Sequence, residues 1–428
     1  MATTSPVVLR LTAEDEAKLD GDHGPGVAMA MRLVVALARV SQATRLIDIE
    51  SAHIDGCLYH GQAGLDFIEK LVSLGAKVRV PTTLNVSSLD LLHPGLVRLN
   101  PTEAAAARCL MDAYVAIGAR ATWTCAPYQL AGRPEAETDI AWAESNAIVF
   151  ANSVLGARTA RYGDFADVCA AVTGRAPFAG LHVAENRIPR LELDCSSIPD
   201  HVLDSDAAWA ALGFLVGLEV GEQVAILTGI APTLVDEDRM KALGATAASS
   251  GGVALFHVAG VTPEAIKAGE AWPEVGLPRI ELTPELLRAA RDTLTTATVG
   301  DELNAVALGT PHFSLTEFAT LAAVLQDRVQ FHPSCTVWIS TSREVLAEAR
   351  ARGYAQLCEE VGAKLVVDTC TYLVPVLADS VRTAMTTSGK WAWYAPANMG
   401  ISVVLGTLAE CIASARSGRV IRDESSWE

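Results

Sequence analysis

Apolar positions along this chain gather into blocks of two lengths, separated by Gly, Pro and polar residues. The longer blocks predict helices over 27–40 (VAMAMRLVVALARV, apolar enough to be largely buried), 64–74, 103–117, 206–218, 236–243, 283–294 and 407–415. The shorter blocks at 46–49, 78–80, 224–228, 252–258 and 337–340 predict strands. Thr12 precedes the acids Glu14, Asp15 and Glu16 as an N-cap with carboxylates in the first turn, and that helix stops near Gly21. Gly24, Pro25 and Gly26 then break the chain, and Gly75 ends a later helix. Strand, polar loop, helix and strand recur in both halves. That order predicts an α/β protein built of βαβ units, with ligands at the C-terminal ends of its strands. Two parts are expected, 1–200 and 201–428, with no short repeat and no low-complexity linker.

Composition narrows the partners. Half of the 428 residues are apolar, and 33 basic side chains face 50 acidic ones for a net charge of −17, with no Lys/Arg cluster. A phosphate backbone needs a basic face, so nucleic acid is not expected as a partner. The N-terminus lacks a basic segment followed by an apolar core, and no apolar run reaches membrane-spanning length. Nine scattered cysteines without a C-x-x-C pair do not form a disulfide framework. A cytoplasmic protein with reduced thiols and no membrane contact is the expectation.

Two cysteines close short apolar runs: Cys125 in ATWTCAPYQ (121–129) and Cys370 in VVDTC (366–370). A thiolate at the end of a buried strand is held rigidly yet can face a cleft, which suits a metal or iron–sulfur ligand. A buried cysteine can equally be mere packing, so the polar residues nearby decide. The stretch 50–59 packs Glu50, His53, Asp55, Cys57 and Tyr59 together. The stretch 144–159 brings Asn146, Asn152, Ser153 and Arg158, where the guanidinium could clamp a carboxylate that Asn and Ser orient. Ordinary helix caps are the alternative there. Arg175 and His182 follow in a Gly/Pro-rich loop, then Thr310, His312 and Ser314 after a strand-like run, and Lys390 in TSGKWAWY.

Taken in order, SAHIDGCLY, TWTCAPYQ, ESNA…ANSVLGART, GTPHFS, VDTC and SGKWAWYAP span nearly the whole chain and resemble aconitase X, the divergent branch of the aconitase superfamily. The resemblance implies a multi-domain aconitase-like large subunit and an iron–sulfur hydro-lyase acting on a small hydroxy acid. Its bacterial kind dehydrates cis-3-hydroxy-L-proline to Δ1-pyrroline-2-carboxylate, and its archaeal kind mevalonate 5-phosphate. Thr310 stands where the archaeal pattern has Cys, which favours the bacterial kind and makes Cys57 the natural replacement. The implied metal ligands are then Cys57, Cys125 and Cys370, holding a two-iron, two-sulfur cluster or a single iron. Asn146, Asn152, Ser153, Arg158 and Thr310 are the implied substrate contacts. His53, His312 and Lys390 are candidates for proton handling, although in aconitase relatives the base lies on a small swivelling domain. That domain is expected here on a second polypeptide. An amino acid asks for one cation and one acid, and Arg158 with Glu50 or Asp55 could supply them. Arg158, Arg175 and Lys390 are too scattered to make a phosphate site. The remaining cysteines (Cys109, Cys169, Cys195, Cys335, Cys358, Cys411) read as packing. A non-catalytic binding or regulatory subunit is the alternative of another class. It would not need three candidate ligands beside such a polar pocket.

Overall fold

The computed structural model describes residues 8–269, 272 and 276–427. Its strands form three parallel sheets and one antiparallel pair. In the first sheet Ala52–Ile54 lies between Thr82–Leu84 and Ala141–Trp142. The antiparallel pair, Leu46–Asp48 with Arg175–Pro177, lies in the same part of the chain. The second sheet runs Phe256–Val258, Ala225–Thr228, Leu191–Asp194, Arg279–Glu281, and the third Lys364–Val366, Thr336–Ser340, Ala305–Leu308, Thr383–Thr386, Ser402–Leu405. Parallel neighbours need crossover connections, and the helices expected from the longer apolar blocks provide them. Thr12 caps Ala13–Asp20 as a full capping box with Asp15, and Thr407 does the same with Glu410 for Leu408–Ser417. No helix among the described residues is long and apolar enough to cross a membrane.

The boundary expected near residue 200 falls inside the second sheet, since Leu191–Asp194 pairs with strands on the far side of it. Local expectations also change: residues 78–80, read as a strand, precede the observed strand Thr82–Leu84. Residues 50–59, read as a loop, contain the central strand of the first sheet, Ala52–Ile54. The run 121–125 is not a strand, because the Thr122 hydroxyl takes over the ladder: it accepts from Leu84 N at 2.9 Å and donates to Leu84 O at 2.9 Å. Trp123, at φ +43, then turns the chain out of extended geometry.

The second sheet carries the buried pair Asp206–Val220 and Glu237–Ser250. Their close approach needs glycine: a Cβ on Gly213 would sit 2.3 Å from Leu243 O. The main apolar core joins this pair to residues of the third sheet and to Cys125 and Cys370. The two cysteines are thereby fixed where the parts meet.

Candidate functional site

Side chains alternate along a strand, so His53, Thr83 and Trp142, paired in register, share one face of the first sheet. Two residues further along each chain come Asp55, Asn85 and Glu144, just past the C-terminal ends. Asn85 Nδ2 donates to the Asp55 carboxylate in a short hydrogen bond. Glu144 begins the helix Ser145–Phe150, and its Oε2 accepts from Ala147 N at 2.7 Å.

The third sheet delivers three loops to the same place. Behind Ala305–Leu308, Gly309 at φ +85 lets the chain turn tightly, since a Cβ there would lie 2.0 Å from Ser340 O. Phe313 N donates to that carbonyl at 2.8 Å and fixes the loop carrying His312. Behind Lys364–Val366, Asp368 is gripped by Arg343 at 2.6 and 2.5 Å and leads to Cys370. Behind Thr383–Thr386, Ser388 caps the helix Gly389–Met399 and presents Lys390.

Where these loops meet, the Cys125 and Cys370 sulfurs and a His312 ring nitrogen all lie within 4.8 Å of one another, and all three residues are buried. Backbone His312 N donates to Cys125 Sγ at 3.3 Å. The hydrogen bond with the Cys125 sulfur, then burial, pushes the Cys370 thiol well above its ordinary range. A bound cation reverses such a preference, because thiolates are what it binds. Two thiols and an imidazole are an N/S donor set suited to iron, and the fully buried hydroxyls of Thr369 and Ser340 nearby have no partner.

The hydrogen bonds of His312 settle its tautomer. Its Nε2 lies 3.2 Å from Thr369 O, which only accepts, so Nε2 carries the proton. Nδ1 therefore accepts from the Thr124 hydroxyl at 2.9 Å. Burial drops this imidazole to about 4, so it is neutral and both nitrogens are occupied. His53 is also neutral, with burial taking it to about 4; its Nδ1 meets Thr83 Oγ1 at 2.8 Å, and its buried Nε2 has no partner.

Lys390 donates to Glu144 Oε1 at 2.6 Å and Ser145 Oγ at 3.1 Å. Burial opposes the ammonium, but Glu144, then Tyr372 and Cys125, outweigh it and keep Lys390 charged. Burial, then the charges of Glu144, Asp167 and Asp164, raises half-buried Asp55 to about 7. Asp167 is buried, accepts from Asp55 N at 2.7 Å, and also rises to about 7.

Other residues singled out in the sequence do not join this group. Cys57 is in no cluster of the Cys125 type among the described residues. Its Sγ donates to Ile54 O at 3.4 Å, and burial with Asp167 and Asp55 pushes its thiol up. Asn146 spans the Cys125 carbonyl (3.0 Å) and Tyr128 Oη (2.9 Å), so it positions the Cys125 loop. The Asn152–Ser153–Arg158 clamp is not formed, because backbone groups and Arg187 have already taken the polar atoms of Asn152 and Ser153. Asn152 donates to Thr159 O and Ala254 O at 2.9 and 3.0 Å, Ser153 Oγ accepts from Phe256 N at 3.0 Å, and Arg158 Nε is buried without a partner. Arg175 pairs with Asp15 and Asp48 at 2.8 and 2.6 Å, and His182 with Asp139 at 2.8 Å. Thr310 is buried, and its carbonyl accepts a short hydrogen bond from Ser388 Oγ. Glu50 is exposed, which leaves Asp55 as the acid at the site. Sequence reading passed over Glu144, Asp167 and Tyr372. Only Glu144 left a signal: a Glu stands at an N-cap where Ser, Thr, Asp or Asn is usual.

Comparison with known proteins places this geometry in context. The family models described as the first, second and third domains of aconitase X match residues 8–185, 186–292 and 303–417. Cis-3-hydroxy-L-proline dehydratase of Pseudomonas aeruginosa is 43% identical over 98% of this chain and 72% of its own length. The phosphomevalonate dehydratase large subunit of Methanothermobacter thermautotrophicus is 36% identical over 92% of this chain and 96% of its own length. The crystal structure of Thermococcus kodakaraensis aconitase X in its holo-form superposes with a TM-score of 0.84 at 33% identity, covering 95% of this chain and 100% of that one.

Proposed function

The chain belongs to the aconitase X family, and from that premise we propose that it is a hydro-lyase dehydrating cis-3-hydroxy-L-proline to Δ1-pyrroline-2-carboxylate. The observation that carries the choice of substrate is the charge around Lys390. This single ammonium shares its surroundings with Glu144 and Asp55, and Asp167 stands directly behind Asp55. A phosphate dianion would enter against that surplus of acid. An amino acid brings an ammonium that half-buried Asp55 can accept and a carboxylate for which Lys390 and Ser145 are donors at hand. His53 Nε2, unpartnered and buried, is free to accept from the same substrate.

Dehydration breaks the C2–H bond and places its electron pair in a C2=C3 double bond. The C3–O bond breaks, and the hydroxyl leaves as water once it gains a proton. The enamine then moves its N–H proton to C3 and becomes the cyclic imine. Asp55 and Lys390 hold the two charged ends of the substrate so that C2 and C3 are fixed between them. Cys125, Cys370 and His312 would hold an iron–sulfur cluster of the two-iron, two-sulfur kind, with Nδ1 giving up its hydrogen bond from Thr124 to do so and Thr369 still orienting the imidazole through Nε2. When bound, its iron supplies a Lewis acid for the departing hydroxyl. The name of the archaeal relative further supports reading this chain as a large part that works with a small swivelling domain on a second polypeptide.

The test is to purify the chain without oxygen, load it with iron and sulfide, add the small-domain polypeptide, and follow loss of cis-3-hydroxy-L-proline and of mevalonate 5-phosphate. Consumption of the amino acid is expected, and turnover of the phosphate alone would reverse the assignment. Iron content checks the ligands separately: Cys125→Ser and Cys370→Ser should lose the chromophore, whereas Cys57→Ser should keep it.

A further inference from the structure

A crevice of about 420 Å³ opens at the seam of the first two matched domains. One wall comes from Arg161, Gly180 and Asn186, the other from Arg190, Glu222 to Val224, Gly252, Ala254 and Leu255. Both arginines are exposed, and among the described residues neither side chain makes an ion pair or a hydrogen bond. That is unusual in a chain with 50 acids to 33 bases, where Arg187, on the same seam, holds Glu264 at 2.6 Å. Glu222 is the one acid on the walls and pairs with neither guanidinium. Gly252, at φ +82, keeps the wall low beneath Arg161: a Cβ there would stand 3.4 Å from its Nη1. The Gln223 amide on the opposite wall is likewise unengaged, while Asn186 Nδ2 donates to Gly180 O at 2.9 Å and fixes the rim.

We propose that this crevice binds a small organic oxyanion, a carboxylate or phosphate ester of a few carbons, between Arg161 and Arg190. Two guanidiniums left unpaired on one concavity give it a positive field that an entering anion answers. Each offers a planar fork of donors matched to an oxyanion. The volume exceeds that of an inorganic anion, and Leu181, Val224 and Leu255 line it with apolar surface for a short carbon body. A ligand there would touch both domains at once. It would therefore brace the seam that Asn152 and Ser153 cross close to the site.

The probes are citrate and glycerol phosphate, each titrated into the full chain at fixed ionic strength while the melting midpoint is followed. Saturable binding well above its dissociation constant should raise the midpoint by about 2 °C or more. In the double variant Arg161→Gln/Arg190→Gln the rise should vanish. In the charge-matched control Arg32→Gln/Arg39→Gln, two exposed arginines elsewhere, it should persist. Response to citrate alone, to glycerol phosphate alone or to both supports the site and distinguishes carboxylate from phosphate. No response in the native chain, or an undiminished response in the double variant, overturns it. Because these side chains are exposed, the double variant should melt at the native midpoint without ligand, so lost binding is not confused with lost folding.

Discussion

Lys390 and Glu144 face each other at 2.6 Å with both side chains buried, so neither can be removed without stranding the other. Lys390→Met leaves a buried carboxylate uncompensated and is expected to cost about 3–5 kcal/mol of stability. Adding Glu144→Gln should restore most of that in a denaturant melt, because the unpaired charge disappears. Turnover should stay lost in both, since the substrate carboxylate has lost its ammonium. A single variant that kept native stability would show the pair to be looser than its geometry implies. Asp167 predicts a pH dependence. Burial, with Asp164 adding to it, lifts this carboxyl from 3.8 to about 7, so the folded state favours its neutral form. The sign follows: this contribution is complete below the unfolded value and is lost as pH rises through about 7. Asp167→Asn cannot ionise, so its stability should fall less than that of the native chain between pH 5 and pH 8. The difference should be on the order of 2 kcal/mol, below what the full shift implies because Asp55 titrates in the same field. Parallel melting curves for the two proteins would remove Asp167 as the source.

Among elements, the loop bearing His312 is anchored from outside its own sheet. Ser314 and Glu317 cap the helix Leu315–Val324 as a capping box, and Ser314 Oγ also donates to Asp238 at 2.8 Å. Lys241, buried in the helix Glu237–Ser250, donates to Asp238 at 2.9 Å and to Glu317 in a shorter ion pair. The second domain thus clamps the chain two residues beyond His312. Lys241→Met should cost about 3–5 kcal/mol, with Lys241→Arg recovering part of it. It should also speed hydrogen exchange at Phe313 N, which a loss of stability spread evenly would not single out. This joint explains how far the sequence could be read. Caps, glycine stops and long apolar helices are local, and Thr12, Gly21 and the helix Pro25–Val40 stand close to where the residues put them. Cys125, His312, Cys370 and Lys390 were visible because each follows an apolar run into a polar loop. The Asn152–Ser153–Arg158 clamp and Cys57 were different. Residue type states that a polar group can bind, but not that a backbone carbonyl as distant in sequence as Ala254 has already occupied it. Ala52–Ile54 was hidden because its His and following Asp look like loop, although they lie on the face that builds the site.

At the scale of the molecule, the sheets converge on a site whose described side chains bind well and remove protons poorly. His312 has both nitrogens engaged, and burial holds His53 at about 4. Lys390 is fixed in its charged form by Glu144, whose own carboxylate is spent on Lys390 and the helix cap. Asp55, like the buried Asp167 behind it, sits at about 7, where a general base works best near neutrality, and Asp55 is the less buried of the two. Two assignments therefore compete. If Asp55 takes the substrate ammonium, that ammonium pulls the carboxyl back down, and the base must come from the small swivelling domain. If Asp55 is itself the base, the chain needs no other. Asp55→Asn separates them through steady-state kinetics of the chain mixed with a small-domain polypeptide. On the first assignment KM rises while kcat falls little; on the second kcat falls about 10²–10⁴-fold with KM nearly unchanged. We expect the first, because Asp167 and Asn85 already hold the backbone and side chain of Asp55, which suits a fixed binding group. The same expectation requires the chain by itself to bind cis-3-hydroxy-L-proline in calorimetry yet turn it over at least about 10²-fold more slowly than the mixture. Equal rates with and without the second polypeptide would place the base on this chain and return Asp55 to that role.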